Sequence, residues 1–216
     1  MRLMKLPGVF APISDSWLLA RVVRQHVVPG ARVLDACTGS GVVGVAAALA
    51  GGRVTSVDVS RRAVAGAWLN ARLNGTRLEV VRGDLVEPVA GREFDVIASN
   101  PPYVPAAGDE LPTSGPQRAW DAGRDGRALL DRLLAEAPPL LAAGGVLLLV
   151  QSNLIGEEQT LARMRAAGLE ADVAAREPGP LGPLMRARRD AGLLDPGIDG
   201  EVVLIVRGRR PTLSTD

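Results

Sequence analysis

Residues 33–41 read Val-Leu-Asp-Ala-Cys-Thr-Gly-Ser-Gly, an order that predicts a buried strand, a tight turn and the start of a helix. Gly39 and Gly41 allow the backbone to approach a ligand closely, and the helix beyond them begins with unpaired N–H groups. The next apolar run ends at Asp58, 23 residues after Asp35, and a carboxylate there can accept both hydroxyls of a ribose. The pattern therefore indicates a ligand that contains adenosine, bound across the ends of parallel strands.

Short apolar strands alternate with helical stretches on both sides of this turn, which is typical of a parallel sheet covered by helices on both faces. Helices are predicted at 14–28, 41–50, 60–75, 126–142 and 156–167, and strands at 32–36, 53–58, 77–82, 94–99, 146–150, 169–175 and 201–206. Ser14 and Ser60 are the predicted N-caps of the first and third helices. Two segments rich in Gly and Pro, 104–124 and 177–199, are predicted to be irregular, the first as a cover over an active site. We therefore expect an α/β fold with about seven strands in a doubly wound sheet, as a single domain over 1–216.

The composition limits the class of protein. With 216 residues, 47% of them hydrophobic, the chain can bury a sizeable core. No apolar run approaches the ~20 residues that cross a membrane, so no membrane partner is expected. One cysteine and one histidine argue against a disulfide framework, in keeping with a reducing cytoplasm, and against a metal site. A net charge of +1 gives no general electrostatic reason to bind nucleic acid.

Two adenosine ligands compete for the glycine-containing turn. The glycines at 39, 41 and 44 match G-x-G-x-x-G, the pattern of dinucleotide-binding folds. Asp35 argues against a dinucleotide, because a carboxylate before the turn would repel a pyrophosphate but could hold the ammonium group of a methionine moiety. Asp84, in the turn after the third strand, adds an acceptor for an adenine amino group. These acids favour S-adenosylmethionine over NAD on the chemistry of the site rather than on the fold.

The fourth predicted strand runs directly into Asn100-Pro-Pro-Tyr103. The two prolines remove two backbone donors, so nearby carbonyls are left free to accept hydrogen bonds from a bound group. An amide side chain beside those carbonyls suits a substrate NH2 group, and Tyr103, the only tyrosine, can supply a flat wall against it. This arrangement predicts transfer of a group onto a planar nitrogen.

Longer stretches of the chain resemble a known family. Residues 57–75, 100–103 and 119–126 are similar to the second motif, the catalytic motif and the following segment of HemK-type methyltransferases. These are class I S-adenosylmethionine enzymes that methylate a glutamine amide in translation release factors. The similarity runs from about 9 to 207 without the N-terminal helical domain of the long bacterial form, so the chain resembles the short form. The resemblance implies a Rossmann-like seven-stranded class I methyltransferase sheet, mostly parallel with an antiparallel last strand, and helices on both faces.

The resemblance and the residue chemistry together predict the site. The Asn100 side-chain oxygen and the Pro101 carbonyl would accept the two hydrogens of the acceptor amide, and Tyr103 would stack on it. The predicted catalytic residues are Asn100, Pro101, Pro102 and Tyr103. S-adenosylmethionine, which leaves as S-adenosylhomocysteine, is expected to be bound by Ser16, Asp35, Cys37, Gly39, Gly41, Asp58, Val59, Asp84, Leu85 and Asn100. Cys37 stands where many methyltransferases have the first glycine of the turn, and it is expected to be a small packing residue.

Several acceptors fit an N-methyltransferase of this kind. The resemblance favours the glutamine N5 in the Gly-Gly-Gln loop of a release factor, and short-form relatives in eukaryotes and archaea need a small activator subunit. The N6 of adenine or N4 of cytosine in nucleic acid has the same planar geometry, but base flipping needs phosphate contacts and a recognition domain that the sequence does not show. A small-molecule amine enclosed by the two irregular segments is a third acceptor. A non-catalytic cofactor-binding protein is the alternative outside enzymes, and the joint presence of three strand-end aspartates and Asn100 argues against it.

Overall fold

Seven strands form one sheet in the computed structural model, which describes residues 1–212. The strands are β1 (Arg32–Ala36), β2 (Arg53–Asp58), β3 (Leu78–Arg82), β4 (Phe94–Ser99), β5 (Leu141–Ser152), β6 (Glu170–Pro180) and β7 (Gly200–Arg209). Their order across the sheet is β3-β2-β1-β4-β5-β7-β6. β7 runs antiparallel to β5 and β6, and the other neighbouring strands are parallel. The expected sheet, mostly parallel with an antiparallel last strand, is therefore confirmed.

The helices cover both faces of this sheet. They are α1 (Ser14–His26), α2 (Val42–Leu49), α3 (Arg61–Leu73), α4 (Ala128–Glu136), α5 (Glu157–Ala166) and α6 (Pro183–Asp190). Successive side chains of β1 point to opposite faces. Val33 joins a buried cluster that contains α1 and α2, and Leu34 joins a second cluster that contains α4 and α5. Both side chains are fully buried, so the strand that precedes the turn is fixed by apolar contacts on each side.

The register of the parallel strands brings three strand ends to one edge of the sheet. Ala36 of β1 is aligned with Val57 of β2 and with Ser99 of β4. Because these strands point the same way, the chain leaves all three at the same edge. The residues that follow the aligned positions are Cys37, Asp58 and Asn100. Residues far apart in the sequence are thus collected at one place.

Two helix boundaries differ from the prediction. Ile13 occupies the N-cap of α1, because the Trp17 N–H donates to the Ile13 carbonyl and Ser14 already lies within the helix, without a capping hydrogen bond. The fourth helix was predicted to reach residue 142 but ends at Glu136, since Pro138 has no N–H to continue it. Ser60 does cap α3, accepting a hydrogen bond from the Ala63 N–H at 3.4 Å.

The segment 177–199 is not irregular as predicted. β6 continues to Pro180 and pairs with β7 down to Gly200, which is compatible with proline because β6 lies at the edge of the sheet. The segment then forms α6, whose Met185 packs with Val104 in a third, small buried cluster. The segment 104–124 contains one short 3-10 turn, Pro116–Ala119, and is otherwise a loop. Among the described residues, no helix is long and apolar enough to cross a membrane.

Gly44 is the point where α2 lies closest to the sheet. A Cβ there would lie 2.6 Å from Ser56 Oγ and 3.0 Å from Asp35 Oδ2. We expect Gly44→Ala to lower the free energy of unfolding by about 1–3 kcal/mol, because the buried neighbours have no space to move. Urea unfolding followed by circular dichroism measures the change.

Gly66→Ala in α3 is the matched control. Its Cβ would meet Leu6 Cδ1 at 3.4 Å, an ordinary contact, so the gain in helix propensity decides and the variant is expected to be up to about 1 kcal/mol more stable. Equal effects of the two substitutions would contradict the packing role assigned to Gly44.

Candidate active site

A cavity of about 910 Å³ opens at the edge of the sheet where β1, β2 and β4 end. Every residue of the sequence-predicted site lines it except Gly41. Further walls come from the start of α1, from the loop residues 113–119 and from residues 182–185 at the start of α6. The strand ends and the Asn100–Tyr103 segment therefore meet the two segments 104–124 and 177–199 around one cavity.

The glycines of the turn have different roles. Gly39 has φ +52°, and a Cβ there would meet nothing closer than the Cys37 carbonyl at 4.0 Å, so its backbone faces open space in the cavity. A Cβ on Gly41 would lie 2.8 Å from the Ala67 Cα, so this glycine permits close packing of α3. Together with Gly44, two of the three glycines in the G-x-G-x-x-G match serve packing within the protein.

Asp35 is 1% exposed and braces the turn from inside. Its Oδ2 accepts hydrogen bonds from the Thr38 hydroxyl and from the Gly44 N–H, the latter at 2.9 Å. Burial raises the pKa of Asp35 to about 7, partly offset by these two hydrogen bonds. The carboxyl that was predicted to hold a ligand ammonium therefore also holds β1, the turn and α2 together.

Asp58 faces the cavity with both oxygens already oriented. Oδ2 accepts from the Gly39 N–H at 2.9 Å and Oδ1 from the Ser60 N–H at 2.8 Å. Burial raises the pKa of Asp58, and these hydrogen bonds and the charge of Arg118 oppose the shift. Each carboxylate oxygen can accept more than one hydrogen bond, so the fixed carboxylate keeps capacity for two hydroxyls of a ligand.

Asp84 and Cys37 lie in less expected surroundings. The Asp84 carboxylate is half exposed, and its Oδ2 pairs with Arg132 at 2.9 Å, so part of its acceptor capacity is already used. Its neighbour Leu85 has φ +45°, a strained backbone that turns the chain at the cavity wall. Cys37 also has a positive φ, +57°, where glycine would be unstrained. Burial raises the pKa of its thiol to about 12, so Cys37 is a neutral packing residue rather than a nucleophile.

The amide of Asn100 is anchored through its nitrogen. Nδ2 donates to Ser16 Oγ at 3.1 Å, which fixes the orientation of the amide group. Within residues 1–212, no hydrogen bond reaches Asn100 Oδ1 or the Pro101 carbonyl. The Asn100 side chain therefore lines the cavity with an unused acceptor, next to a backbone carbonyl that the following proline leaves free.

Asp15 completes this arrangement and was not found from the sequence. It is 3% exposed; Oδ2 accepts from the Tyr103 hydroxyl at 2.9 Å, and Oδ1 accepts from the Ser16 N–H and hydroxyl. A continuous network thus joins Asn100, Ser16, Asp15 and Tyr103. The available signal was periodicity: Asp15 shares a helix face with three buried residues at i+3, i+4 and i+7, namely Leu18, Leu19 and Val22. A carboxylate on the buried face of a helix indicates a buried partner.

Tyr103 lies at the junction of the whole core. It packs against each of the three buried clusters. Burial, with the negative charges of Asp15 and Glu201 adding to it, raises its pKa well above the ordinary value of 10. Tyr103 is therefore a neutral hydrogen-bond donor whose ring is held in place from several sides.

The two segments that cover the cavity are joined to each other. Val104 exchanges backbone hydrogen bonds with Trp120 and Ala122, which closes the loop on itself. Arg188 of α6 forms an ion pair with Asp121 of the loop. Together with the Val104–Met185 contact, this pair fixes α6 against the loop over the cavity.

Comparison with known proteins gives one family model and many relatives. The model of the methyltransferase small domain matches residues 1–113. A Methanocaldococcus jannaschii protein, provisionally named a protein N5-glutamine methyltransferase, is 38% identical over 180 residues, which are 83% of this chain and 90% of that protein. A release factor glutamine methyltransferase of Geobacter sulfurreducens is 34% identical, over 73% of this chain and 57% of its own length. Mouse methyltransferase HEMK2 is 31% identical, over 77% of this chain and 82% of its own length.

Solved structures share the fold at lower identity. The Mtq2 subunit of the E. cuniculi Mtq2–Trm112 complex, described as responsible for methylation of the termination factor eRF1, superposes with a TM-score of 0.64. It is 23% identical, and the match covers 94% of this chain and 99% of that chain. A methyltransferase of Pyrococcus furiosus gives a TM-score of 0.62 at 17% identity, and the match covers 97% of this chain and 88% of that chain. These matches establish the class I methyltransferase fold.

The raised pKa of Asp35 predicts a pH dependence of stability. Between its ordinary value of 3.8 and its folded value of about 7, the folded chain holds a proton that the unfolded chain has released. Stability from this group is therefore lost as the pH rises through that window. We expect the free energy of unfolding to fall by about 3 kcal/mol between about pH 5 and about pH 8, and the fall to be absent in Asp35→Asn.

Urea titrations across this pH range measure the effect. Asp95→Asn is the control, because Arg32 lowers the pKa of that exposed carboxyl and its titration lies below the window. An Asp35→Asn variant with the slope of the wild type would refute the assignment.

Proposed function

The chain belongs to the methyltransferase small domain family, among the HemK-type glutamine methyltransferases, and we propose that it methylates the N5 of a glutamine in the Gly-Gly-Gln loop of a translation release factor. The enzyme is an S-adenosylmethionine-dependent N-methyltransferase. The observation that carries the proposal is the anchored Asn100 amide, whose Oδ1 is left as an acceptor for a planar NH2 group. Cytoplasmic localisation is part of the proposal, since release factors act on cytoplasmic ribosomes.

The strand-end residues fit the methyl donor. Gly39 leaves the space of a side chain open beside the turn, and the Asp58 carboxylate is oriented to accept the hydroxyls of a ribose. Asp35 lines the cavity at the start of the turn, where a methionine ammonium would be held, and the positive charge of that ammonium would favour the ionised form of the buried carboxyl. Asp84 also lines the cavity, and beside its ion pair with Arg132 its carboxylate keeps acceptor capacity for an adenine amino group. S-adenosylmethionine supplies an electrophilic methyl group when it is bound.

The acceptor residues address the weak nucleophilicity of an amide. The nitrogen lone pair of an amide is delocalised into its carbonyl, so the site has to orient the nitrogen and stabilise the positive charge that develops on it. Asn100 Oδ1 and the Pro101 carbonyl can accept the two N–H hydrogens and so place that charge between two oxygen dipoles. Ser16 holds Asn100 in this orientation before the substrate arrives, which reduces the reorganisation needed. The proton is lost to water after the nitrogen has been alkylated, so no strong base is needed.

Tyr103 provides a rigid wall for the planar group. Its hydroxyl is occupied by Asp15, so the ring rather than the hydroxyl faces the substrate amide. The apolar residues of the loop and of α6 exclude water from this side of the cavity. Water exclusion strengthens the two hydrogen bonds to the acceptor amide, because they act in a low dielectric.

Transfer of a labelled methyl group tests the substrate. We expect label in the release factor of the same organism, and no label after Gln→Ala in its Gly-Gly-Gln loop. Total tRNA, DNA and a metabolite extract are the competing acceptors, and label confined to one of these would refute the proposal. Since the E. cuniculi relative forms a complex with Trm112, we propose a small activator of that kind as a partner. Turnover by the isolated chain, compared with turnover after addition of a Trm112-like protein, tests it.

Asn100→Ala tests the acceptor role directly. Removal of one preorganised acceptor is expected to lower kcat by about 10²–10³, while the Kd for S-adenosylmethionine changes little. Single-turnover kinetics and calorimetric titration measure the two quantities.

Asn74→Ala is the matched control for the loss of an asparagine. Asn74 caps α3 and bonds to the Arg2 backbone outside the cavity, so turnover is expected to be unchanged. Normal turnover by Asn100→Ala with intact cofactor binding would contradict the mechanism.

A further inference from the structure

Glu201, the second residue of β7, has one carboxylate oxygen that the fold does not use. The side chain lines the same cavity as the Asn100–Tyr103 segment. Oε1 accepts a hydrogen bond from the Gly182 N–H at 3.0 Å, at the start of α6. Oε2 is buried, and no donor of the described chain lies within hydrogen-bonding distance of it. The carboxylate is thus held in position by one oxygen while the other stays unpaired.

The side-chain donors of Tyr103 and of α6 have other partners. The Tyr103 hydroxyl, whose pKa Glu201 helps to raise, donates to Asp15. The three arginines of α6 also have other partners: Arg186 bonds the Leu181 carbonyl, Arg188 pairs with Asp121, and Arg189 bonds Ile198, Asp190 and Asp199. The three arginines of α6 are therefore committed to contacts within the chain and do not neutralise Glu201.

Burying a carboxylate oxygen without a hydrogen-bond partner destabilises the folded chain, and anchoring α6 does not require a second oxygen at this position. A glutamine would also accept the Gly182 N–H, because that contact uses a single acceptor. A buried acceptor that the chain leaves unpaired calls for a partner from outside the chain, and a donor on a ligand in the adjoining cavity is one such partner. Glu201 lines the same cavity as the Asn100–Tyr103 segment and its charge acts on Tyr103, which points to the methyl acceptor as that ligand.

We propose that Glu201 Oε2 is a second subsite for the acceptor and receives a main-chain N–H of the substrate peptide next to the methylated glutamine. The inference rests on the proposed function. A Gly-Gly-Gln segment carries no side-chain donor apart from the glutamine amide that Asn100 receives, so the donor that remains is the peptide backbone. The walls beside Glu201 are apolar, formed by Pro183 and Met185, which suits a neutral N–H better than a hydrated cation.

Glu201→Gln is the variant that separates the two oxygens. The glutamine oxygen can still accept the Gly182 N–H. Nε2 replaces Oε2, so an N–H donor of the enzyme would face the main-chain N–H of the substrate and no hydrogen bond could form. We expect the KM for the release factor to rise about tenfold to a hundredfold, the range for losing a hydrogen bond to a charged group, with kcat, the Kd for S-adenosylmethionine and the melting temperature little changed. Glu177→Gln is the matched control, because Glu177 lies in the partner strand of the same hairpin and faces Arg21 on the surface.

A second measurement uses the unaltered enzyme and does not depend on folding of a variant. Gly-Gly-Gln peptides in which one backbone N–H at a time is replaced by an ester oxygen are assayed as competitive inhibitors of release factor methylation. We expect the ester substitution at one peptide position to raise the inhibition constant at least tenfold for the wild-type enzyme. The same substitution is expected to leave the inhibition constant of the Glu201→Gln variant unchanged.

The outcomes separate the two proposals. If the wild type labels no release factor, the proposed function fails and the peptide subsite fails with it. If the wild type labels the factor but Glu201→Gln has the KM of the wild type, or no ester position distinguishes the two enzymes, the subsite is overturned and the function stands.

Discussion

The buried carboxyl of Asp35 is the contact on which the architecture around the site depends. It lies one residue before the end of β1, accepts from Thr38 in the turn and from Gly44 in α2, and so ties α2 to the strand that precedes it. The absence of a side chain at 44 lets the helix approach near enough to make that bond. Since the parallel register aligns the ends of β2 and β4 with β1, the same contact sets where those ends meet the cavity.

The acceptor half of the site is built on a different element. The first turn of α1 supplies Asp15 and Ser16, which hold Tyr103 and Asn100 from the side opposite the turn. The donor half is therefore fixed by backbone geometry at strand ends, and the acceptor half by a side-chain network across 84 residues of sequence. The network depends on four side chains, so a single substitution in it would disturb the positioning.

The sequence predicted the parts of the molecule whose signal is local. β1, β2 and β4 were placed with their observed bounds, because each is a short continuous apolar run between turn residues. α6 was missed, since its segment is rich in Pro, Gly and Arg, and the helix is stabilised by packing of Met185 against Val104, far away in the sequence. Glu201 and Asp15 could not be assigned a role from the sequence, because what distinguishes them is the set of partners that the fold brings near. The resemblance located Asn100, but only the structure gives its amide an orientation.

Tyr103 packs on all three buried clusters and also lines the cavity. A change in its shape disturbs folding and recognition together, so selection cannot adjust one without the other. Residues 113–119 and 182–185 line the same cavity but lie outside the two large clusters. Substitutions that adapt the cavity to a new acceptor are thus more easily accepted in those two walls, while Tyr103 stays unchanged between them.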